Sequence, residues 1–396
     1  MSVSVYIFNP EHDLALANSD VNFNAPLLAQ KLAADLAVIP LWFCDSNSFI
    51  IAENNSNEWL LRQQNLFLAL KNSSLGVSCE VASGSTVIPW GWDKAIRKSL
   101  NNKGLDMSLL PTDSYLEFIK QHSHRRVAAI LSTRLQADAQ LANIVSSPAL
   151  ELTTIAEVND FVSQNMPAVL KAPLSGSGKG LCWVCKSLEA SQLGWCKNVI
   201  AKQGSVMAER VYDKLQDFAM LFSCDNMEVS FLGYSLFETD NGIYRSNALM
   251  SNAQIEAKII ALGVAEHHLP HVRRIVTDFL KEQIAHHYTG VLGVDMFVYA
   301  EEGKIKLHAS VEINLRMTMG VLARRFYDNF VSQNSMGHFY VDFDPDAKAL
   351  YHDHKTRLST QPVSVIDGRI KNGYFCASDI NPQSNYRLRV EVDTND

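Results

Sequence analysis

The residues whose types and spacing are best suited to chemistry lie in the segment 311–316, Val-Glu-Ile-Asn-Leu-Arg. Read with the two-residue period of a β-strand, Glu312, Asn314 and Arg316 lie on one face and three apolar residues lie on the other. A hard divalent cation takes carboxylate and amide oxygens, and a guanidinium two residues away can meet an anion bound to the same cation. The pattern indicates half of a nucleotide and metal site, and a strand with one face in water is the alternative.

A second carboxylate, Asp295, lies in the strand-like segment 293–299, which has apolar residues on its opposite face. If an even-numbered turn around residues 302 and 303 joins this segment to the next strand, Asp295 shares a face with Glu312 and Asn314. Two carboxylates that face each other destabilise a sheet unless a cation or a proton lies between them. We therefore predict that Asp295, Glu312 and Asn314 bind Mg²⁺, with phosphate oxygens filling the remaining positions of an octahedron.

A glycine-rich loop between two strand-like segments could bind phosphate groups. Its glycines allow backbone N–H groups to approach phosphate oxygens, and its hydroxyl and ammonium groups are further donors. Lys171 precedes the loop within an apolar strand, where an ammonium is costly unless it meets an anion. A flexible surface turn is the alternative for the loop, and a lysine whose stem covers apolar surface is the alternative for Lys171. The loop consists of Ser175, Gly176, Ser177, Gly178, Lys179 and Gly180.

Two segments near the N-terminus follow predicted strands and carry polar or aromatic side chains. Residues 9–13, Asn-Pro-Glu-His-Asp, come directly after the first strand, at the strand end where α/β sheets bind ligands. A substrate site there competes with capping of the next helix by Glu11 and Asp13. Trp90 and Trp92 follow another strand and could line a ligand pocket, although packed core aromatics are commoner.

Taken in order, these pieces resemble the ATP-grasp superfamily. The order is a strand lysine, a glycine loop, an apolar strand ending in Glu209 and Arg210, a Gly-x-Asp strand and Glu-x-Asn-x-Arg, and it spans residues 127–325. Each piece alone is common, so the specificity lies in the ordered set. Membership would imply that ATP is held between two α+β subdomains and that an acyl phosphate forms, which an amine or another nucleophile then attacks.

The resemblance also implies roles for single residues. Lys171 matches the strand lysine that contacts the phosphates of ATP, and residues 175–180 match the mobile loop that closes over them. Arg316 matches the arginine near the transferred phosphate, where Lys179 would help to neutralise charge. Arg245 lies where members often place substrate contacts, with a surface arginine as the alternative. The remaining matches are Glu209, Arg210 and Val211 with the adenine hinge, Asp217 with an acidic ribose position, Asp295, Glu312 and Asn314 with the magnesium ligands, and Arg134 with a basic phosphate position that is usually Lys.

The elements that must position these residues follow from the periodicity of the apolar residues. In the first part of the chain, strands are predicted at residues 3–8, 36–43, 86–88 and 127–131, and helices at 59–71, 93–101 and from residues 14 and 134. In the second part, strands are predicted at residues 168–171, 181–185, 206–210, 218–222, 229–238, 293–299 and 304–315, and helices at 253–262 and 271–287. Near the C-terminus, Asp367-Gly368 and Asn372-Gly373 predict hairpin turns.

These elements predict a protein of the α/β and α+β classes with three parts. Residues 1–125 would form an α/β domain with a largely parallel sheet, like the domain that precedes an ATP-grasp fold, and this domain could bind substrate. Residues 126–338 would form the ATP-grasp domain, with subdomains at about 145–205 and 206–338. Residues 339–396 would form a small β-rich C-terminal appendix. A chain of 396 residues is long enough for two or three domains.

The composition of the chain argues against some classes of partner and indicates where in the cell the protein is expected. A net charge of −7 and the lack of a long basic run argue against nucleic acid as the main partner. The seven cysteines have no paired spacing, the first residues do not form a basic segment followed by an apolar one, and no apolar run is long enough for a bilayer. We therefore expect a cytoplasmic protein with reduced thiols and no membrane partner.

The predicted function is that of an ATP- and Mg²⁺-dependent ligase that joins an activated carboxylate to an amine through a carbon–nitrogen bond. One or two Mg²⁺ ions are expected, and Mn²⁺ could replace them. The expected partners are small-molecule carboxylate and amine substrates, and a homodimer is compatible with the sequence. Two alternatives remain open: a kinase-like member that stops at phosphorylation, and a nucleotide-binding module without turnover.

Overall fold

The computed structural model of the protein describes residues 3–45, 47–52, 56–77, 85–176, 180–240 and 242–394. The strands of these residues form three sheets, of four, nine and four strands. No helix in the described ranges is both long enough and apolar enough to cross a membrane.

The first sheet is parallel and belongs to the N-terminal part of the chain. Its strands are β1 (Ser4–Ile7), β2 (Ser48–Ile51), β3 (Ser74–Gly76) and β4 (Thr86–Pro89), in the spatial order β3, β2, β1, β4. The helices are α1 (His12–Asn18), α2 (Leu27–Asp35), α3 (Asn57–Leu66), α4 (Lys94–Asn102) and α5 (Asp113–His122). The central strand β1 buries Val5 and Tyr6, and one residue separates its end from residues 9–13. The α/β class predicted for this part is confirmed.

Two predicted strands in this region are wrong. Residues 36–43 contain a 3₁₀ helix, Ile39–Trp42, with Pro40 in its first turn. The segment is apolar and buried on all sides, so its periodicity could not distinguish a strand from a helical turn. Residues 127–131 lie inside helix α6 (Arg125–Ala137), whose buried residues Val127, Leu131 and Leu135 recur at helical spacing.

The second sheet is small and antiparallel. Its strands are β5 (Leu150–Leu152), β6 (Ala168–Lys171), β7 (Leu181–Val184) and β8 (Val206–Arg210), in the spatial order β5, β8, β6, β7. Helices α7 (Ile155–Gln164) and α8 (Ala190–Gln203) bury Val158 and Cys196 against Leu170 of the sheet. A capping box fixes the start of α7, because Thr154 and Glu157 each accept a hydrogen bond from the other's backbone N–H.

The third sheet has nine strands and continues to the C-terminus. Its strands are β9 (Asp213–Asp225), β10 (Glu228–Asp240), β11 (Ile243–Leu249), β12 (Gly290–Glu301), β13 (Lys304–Asn314), β14 (Ser335–Phe343), β15 (Ser364–Ile366), β16 (Arg369–Cys376) and β17 (Tyr386–Thr394). The spatial order is β13, β12, β9, β10, β11, β14, β17, β16, β15. Helices α6, α9 (Asn252–Ala261) and α10 (His268–Gln283) pack in one apolar cluster with this sheet, and α11 (Met319–Phe330) packs in another.

The C-terminal region is β-rich, as predicted, and its strands extend the nine-stranded sheet. The predicted limit between residues 338 and 339 falls inside β14. Asp367 and Gly368 form the turn between β15 and β16, and both have a positive φ, as this turn requires. The hairpin predicted at Asn372-Gly373 is wrong, because both residues lie within β16. Helix α12 (Ala347–Thr360) packs on β16 and β17.

Candidate nucleotide and metal site

Asp295 and Glu312 face each other across β12 and β13, as the alternation of residues predicted. The ladder then shifts register, so that Phe297 lies opposite His308 on the same face. Burial, followed by the charge of Glu312, raises the pKa of Asp295 to about 7, although Arg316 and Asn314 act in the opposite direction. A carboxylate pair that a cation would stabilise is therefore present at the predicted metal position.

Two neighbouring side chains contact this pair. The amide Nδ2 of Asn314 donates to Asp295 Oδ2 at 3.0 Å. Arg125, at the start of α6, donates from Nη2 to Glu312 Oε2 at 2.5 Å. The same guanidinium donates from Nη1 to the carbonyl of Ala172 at 2.6 Å and to Ser175 Oγ at 2.8 Å. Arg125 thus links the predicted metal strand to the glycine loop.

The sequence analysis missed Arg125 and considered another residue of the same helix. Arg134 donates to both carboxylate oxygens of Glu282, at 2.6 and 3.0 Å, in an ion pair at the surface. Helical periodicity is the signal that could have identified Arg125. It would have placed this residue in the first turn of α6, and the side chain of His124 caps that helix by accepting from Arg126 N–H.

Lys171 and Glu209 form a buried ion pair between β6 and β8 of the small sheet. The other oxygen of Glu209 lies 3.1 Å from Nε2 of His308, which is on β13 of the large sheet. Burial by itself raises the pKa of Glu209, but the charges of Lys171 and His308 lower this pKa to about 2. The chain Lys171–Glu209–His308 therefore connects the two sheets through buried polar contacts, and His308 is a second residue that the sequence analysis did not select.

The described part of the glycine loop packs closely against its surroundings. The N–H of Ala172 donates to the carbonyl of Gly180 at 2.8 Å. A Cβ atom on Gly180 would lie 2.2 Å from Ser175 Oγ, and one on Gly176 would lie 2.3 Å from Asp13 Oδ2. A larger residue at either position would require the side chain of Ser175 or Asp13 to shift. The predicted phosphate-binding residues Ser177, Gly178 and Lys179 lie outside the described residues.

The residues matched to the adenine and ribose positions lie next to this cluster. Arg210 pairs with Glu301 of β12, and the N–H of Val211 donates to the carbonyl of Pro167 at 2.9 Å. Asp217 lies opposite Phe297 on the neighbouring strand, so it shares the face of Asp295. It accepts from Lys214 Nζ at 2.6 Å and from Thr239 Oγ1 at 2.8 Å.

Arg316 is bound to the N-terminal part of the chain. Its Nε and Nη2 donate to the two carboxylate oxygens of Asp13, at 2.8 and 2.7 Å. Burial by itself raises the pKa of Asp13, but the charge of Arg316 more than offsets it and keeps this pKa below its ordinary value. One pocket is lined by Asp13, Leu16, Ser123, Leu174, Ser175 and residues 312–316. The predicted strand arginine, the glycine loop and segment 9–13 therefore meet at one place.

Arg245 makes its contacts elsewhere. It lies in β11 and pairs with Asp240 of β10 at 2.7 Å, with more than half of its side chain exposed. A role for Arg245 in catalysis stays a prediction.

The donor set around the cluster fits a phosphate-bearing ligand with a divalent cation. Lys171, Arg125 and Arg316 are cationic, and Asp295 with Glu312 can ligate a hard cation. Within the described residues, no group of three or more His, Cys, Asp or Glu side chains is arranged to hold a metal ion by itself. A cation there would therefore take further oxygens from Asn314 or from the ligand, as Mg²⁺ does when it binds with phosphates.

Of the comparisons with known proteins, the one with solved structures identifies the fold. No protein-family model and no curated protein matches the chain. A biotin carboxylase from Campylobacter jejuni, solved as a beta-gamma-ATP complex, matches with a TM-score of 0.52 at 12% identity, over 99% of this chain and 88% of that chain. An N5-carboxyaminoimidazole synthetase from Staphylococcus aureus matches with a TM-score of 0.50 at 9% identity, over 100% of this chain and 94% of that chain. The likeness shows that the chain has the ATP-grasp fold, as the order of its motifs predicted.

Proposed function

We propose that the protein is an ATP- and Mg²⁺-dependent ligase that activates a carboxylate as an acyl phosphate for attack by an amine. Three contacts carry this proposal: Asp295 faces Glu312, Glu312 and Arg316 line one pocket, and the buried Lys171–Glu209 pair of the small sheet contacts His308 of the large sheet. The fold is shared with a biotin carboxylase and an N5-carboxyaminoimidazole synthetase. The residue types match what phosphoryl transfer asks of a protein, which is positioning and charge neutralisation.

Each part of the site then has a proposed role. Mg²⁺-ATP would supply the phosphoryl group and part of the positive charge. Lys171, Arg125 and residues 175–180 would hold phosphate oxygens, with Lys179 among them. Asp295, Glu312 and Asn314 would ligate one or two Mg²⁺ ions, or Mn²⁺ in their place. The base and ribose would lie along Glu209, Arg210, Val211 and Asp217.

The chemistry of this chain's own residues would centre on Arg316. Its guanidinium would orient the carboxylate or the phosphoryl oxygens and stabilise the negative charge that develops on them. Arg245 would contact a substrate only if the amine or the carboxylate extends towards β11. We also propose a homodimer, a cytoplasmic location and domain limits near residues 125/126 and 338/339.

Binding and turnover test this function separately. Isothermal titration of the purified protein with Mg²⁺ and a non-hydrolysable ATP analogue should show binding that Lys171→Met and Glu312→Gln abolish. Arg125→Met should weaken it by at least tenfold, because a charge-assisted contact to phosphate is lost. Arg134→Met is the matched control, since it removes a surface arginine from the same helix. If the wild type fails to bind the complex, or if Arg134→Met weakens binding as much as Arg125→Met, the assignment of the site is wrong.

Turnover is then measured with ATP and a panel of small carboxylates, with ammonia and amino acids as amines. Mass spectrometry identifies the products that form with ADP. A carbon–nitrogen product confirms the ligase. A phosphorylated carboxylate as the end product would show the kinase-like alternative, and binding without ADP formation across the panel would show a module without turnover.

A further inference from the structure

Segments 9–13 and 90–93 contact Arg316 and the residue after it, Met317. These contacts suggest a role for the two segments that their sequence alone does not indicate. Asp13 accepts both hydrogen bonds of a bidentate pair from the guanidinium. The next residue of the large sheet's arginine segment, Met317, donates its N–H to the carbonyl of Trp90 at 2.8 Å. Both N-terminal segments therefore contact the segment that follows β13, one at Arg316 and the other at Met317.

The two segments also fix each other. Asn9 donates from Nδ2 to the carbonyl of Gly91 at 2.8 Å and accepts from the N–H of Gly91 at 3.3 Å. Nδ1 of His12 lies 3.3 Å from Asp93 Oδ2, and both side chains are almost fully buried. A Cβ atom on Gly91 would lie 2.5 Å from the ring of His12, so the backbone packs directly on it. Buried and mutually satisfied polar groups of this kind make a rigid support.

This support leaves part of Arg316 free to bind an anion. A guanidinium has five N–H donors in one plane. Asp13 takes one from Nε and one from Nη2, and the carbonyl of Met317 takes one from Nη1 at 3.1 Å. One N–H on each terminal nitrogen then remains without a partner among the described contacts, in the pocket that Ser175, Glu312 and Asn314 also line.

We propose that Asp13 is a positioning residue, which holds Arg316 by its Nε edge so that the remaining N–H donors face an anionic oxygen group of the substrate. The group would be a carboxylate or a phosphate, both of which accept two parallel N–H bonds. Segments 9–13 and 90–93 are then the base on which Asp13 is fixed. This inference rests on the proposed function and adds that the N-terminal domain orients a residue of the catalytic site.

Inorganic phosphate is the probe for the proposed anion position. The protein is saturated with Mg²⁺-ADP and titrated with phosphate, for the wild type, Asp13→Asn, Arg316→Ala, the double variant and Asp20→Asn. Asp20 is an exposed carboxylate close to α1, and among the described contacts its side chain accepts only from the N–H of Asn22, so Asp20→Asn is the matched control. We expect Asp13→Asn to weaken phosphate binding about tenfold or more, as loss of one charge-assisted contact does.

Two results would distinguish a positioning role of Asp13 from general damage to the protein and from competition between Asp13 and the anion for Arg316. Asp13→Asn should weaken phosphate binding more than Mg²⁺-ADP binding, and it should add nothing to Arg316→Ala. Tighter phosphate binding by Asp13→Asn would show that Asp13 competes with the anion, and unchanged binding would show that Asp13 has no part in it. If Asp13→Asn weakens phosphate binding equally in the Arg316→Ala background, Asp13 acts through another residue. Any of these results overturns the inference while the proposed function stands. A wild type that does not bind Mg²⁺-ADP overturns the proposed function, and this inference falls with it.

Discussion

Replacement of Glu209 by Gln tests the polar chain that connects the two sheets. Glu209 lies buried between Lys171 and His308, and Gln keeps its size while it removes its charge. The ammonium of Lys171 would then be buried without its counter-charge, which is costly in a protein interior. We expect Glu209→Gln to destabilise the folded protein.

The pKa of Glu209 sets the magnitude. Lowering this pKa from its ordinary value of 4.5 to about 2 corresponds to roughly 3 kcal/mol of folding free energy at pH 7, at about 1.4 kcal/mol per pH unit. Because the folded-state pKa is lowered, this contribution is fully present above pH 4.5 or so. It is lost as the pH falls from there towards 2, since the unfolded state takes up the proton first.

Urea unfolding followed by tryptophan fluorescence measures the effect. Glu209→Gln should lose roughly 3 kcal/mol at pH 7, and its deficit against the wild type should be smaller by about 1 kcal/mol at pH 4. Glu228→Gln is the matched control, because Glu228 pairs with Lys281 at 2.8 Å but both side chains are mostly exposed. Such surface pairs contribute about 0–1 kcal/mol. A deficit of Glu209→Gln no larger than that of Glu228→Gln at pH 7, or one that grows on acidification, would refute this reasoning.

Two further predictions concern stability outside the site. Gly194 lies inside α8 with open space around its Cα, so Gly194→Ala should stabilise the protein by about 0.5–1 kcal/mol. Gly204 ends the same helix at a φ of 87°, so Gly204→Ala should destabilise the protein by about 1 kcal/mol. The two glycine variants should therefore shift urea unfolding in opposite directions, and shifts in the same direction would contradict these two predictions. Trp42→Ala should lower the free energy of unfolding by about 3–5 kcal/mol, because the ring is fully buried and its Nε1 donates to the carbonyl of Ala377. Trp183 has a half-exposed ring, so Trp183→Ala should lower it by less than about 1 kcal/mol in the same assay.

The shared face of Asp295, Glu312 and Asn314 could be predicted from the sequence because the period of a strand is regular. Alternation alone placed Glu312 and Asn314 on one face, and a single assumption about the turn added Asp295 to that face. The structure has this register as far as Asp295, and the shift beyond it places His308 opposite Phe297. Alternation also places His308 on the face of Glu312, but a register shift has no sequence signature as clear as alternation, so the residue opposite His308 could not be predicted.

Residues that reach the site from distant elements were beyond local patterns. Arg125 meets Glu312 from 187 positions away, and Asp13 meets Arg316 from 303 positions away. Such contacts depend on how the domains pack, which periodicity within one element does not encode. The first part of the helix at residues 125–137 was predicted as a strand for a different reason, because its apolar run 127–131 is too short to distinguish a strand from a buried helical face.

The pairing of charges in the site indicates why a cation and a phosphate would bind together. Lys171, Arg125 and Arg316 each pair with a carboxylate, namely Glu209, Glu312 and Asp13. A phosphate alone would meet Lys171 and Arg125 with their charges already neutralised, and it would lie beside the carboxylates of Asp295 and Glu312. A divalent cation alone would gain those two carboxylates but would compete with Arg125 for Glu312. A cation and a phosphate that bind together avoid both conflicts. The cation binds Glu312, which frees the guanidinium of Arg125, and the phosphate binds that guanidinium. The same carboxylates that hold the site together without ligand would then distinguish the magnesium complex of a nucleotide from either component alone.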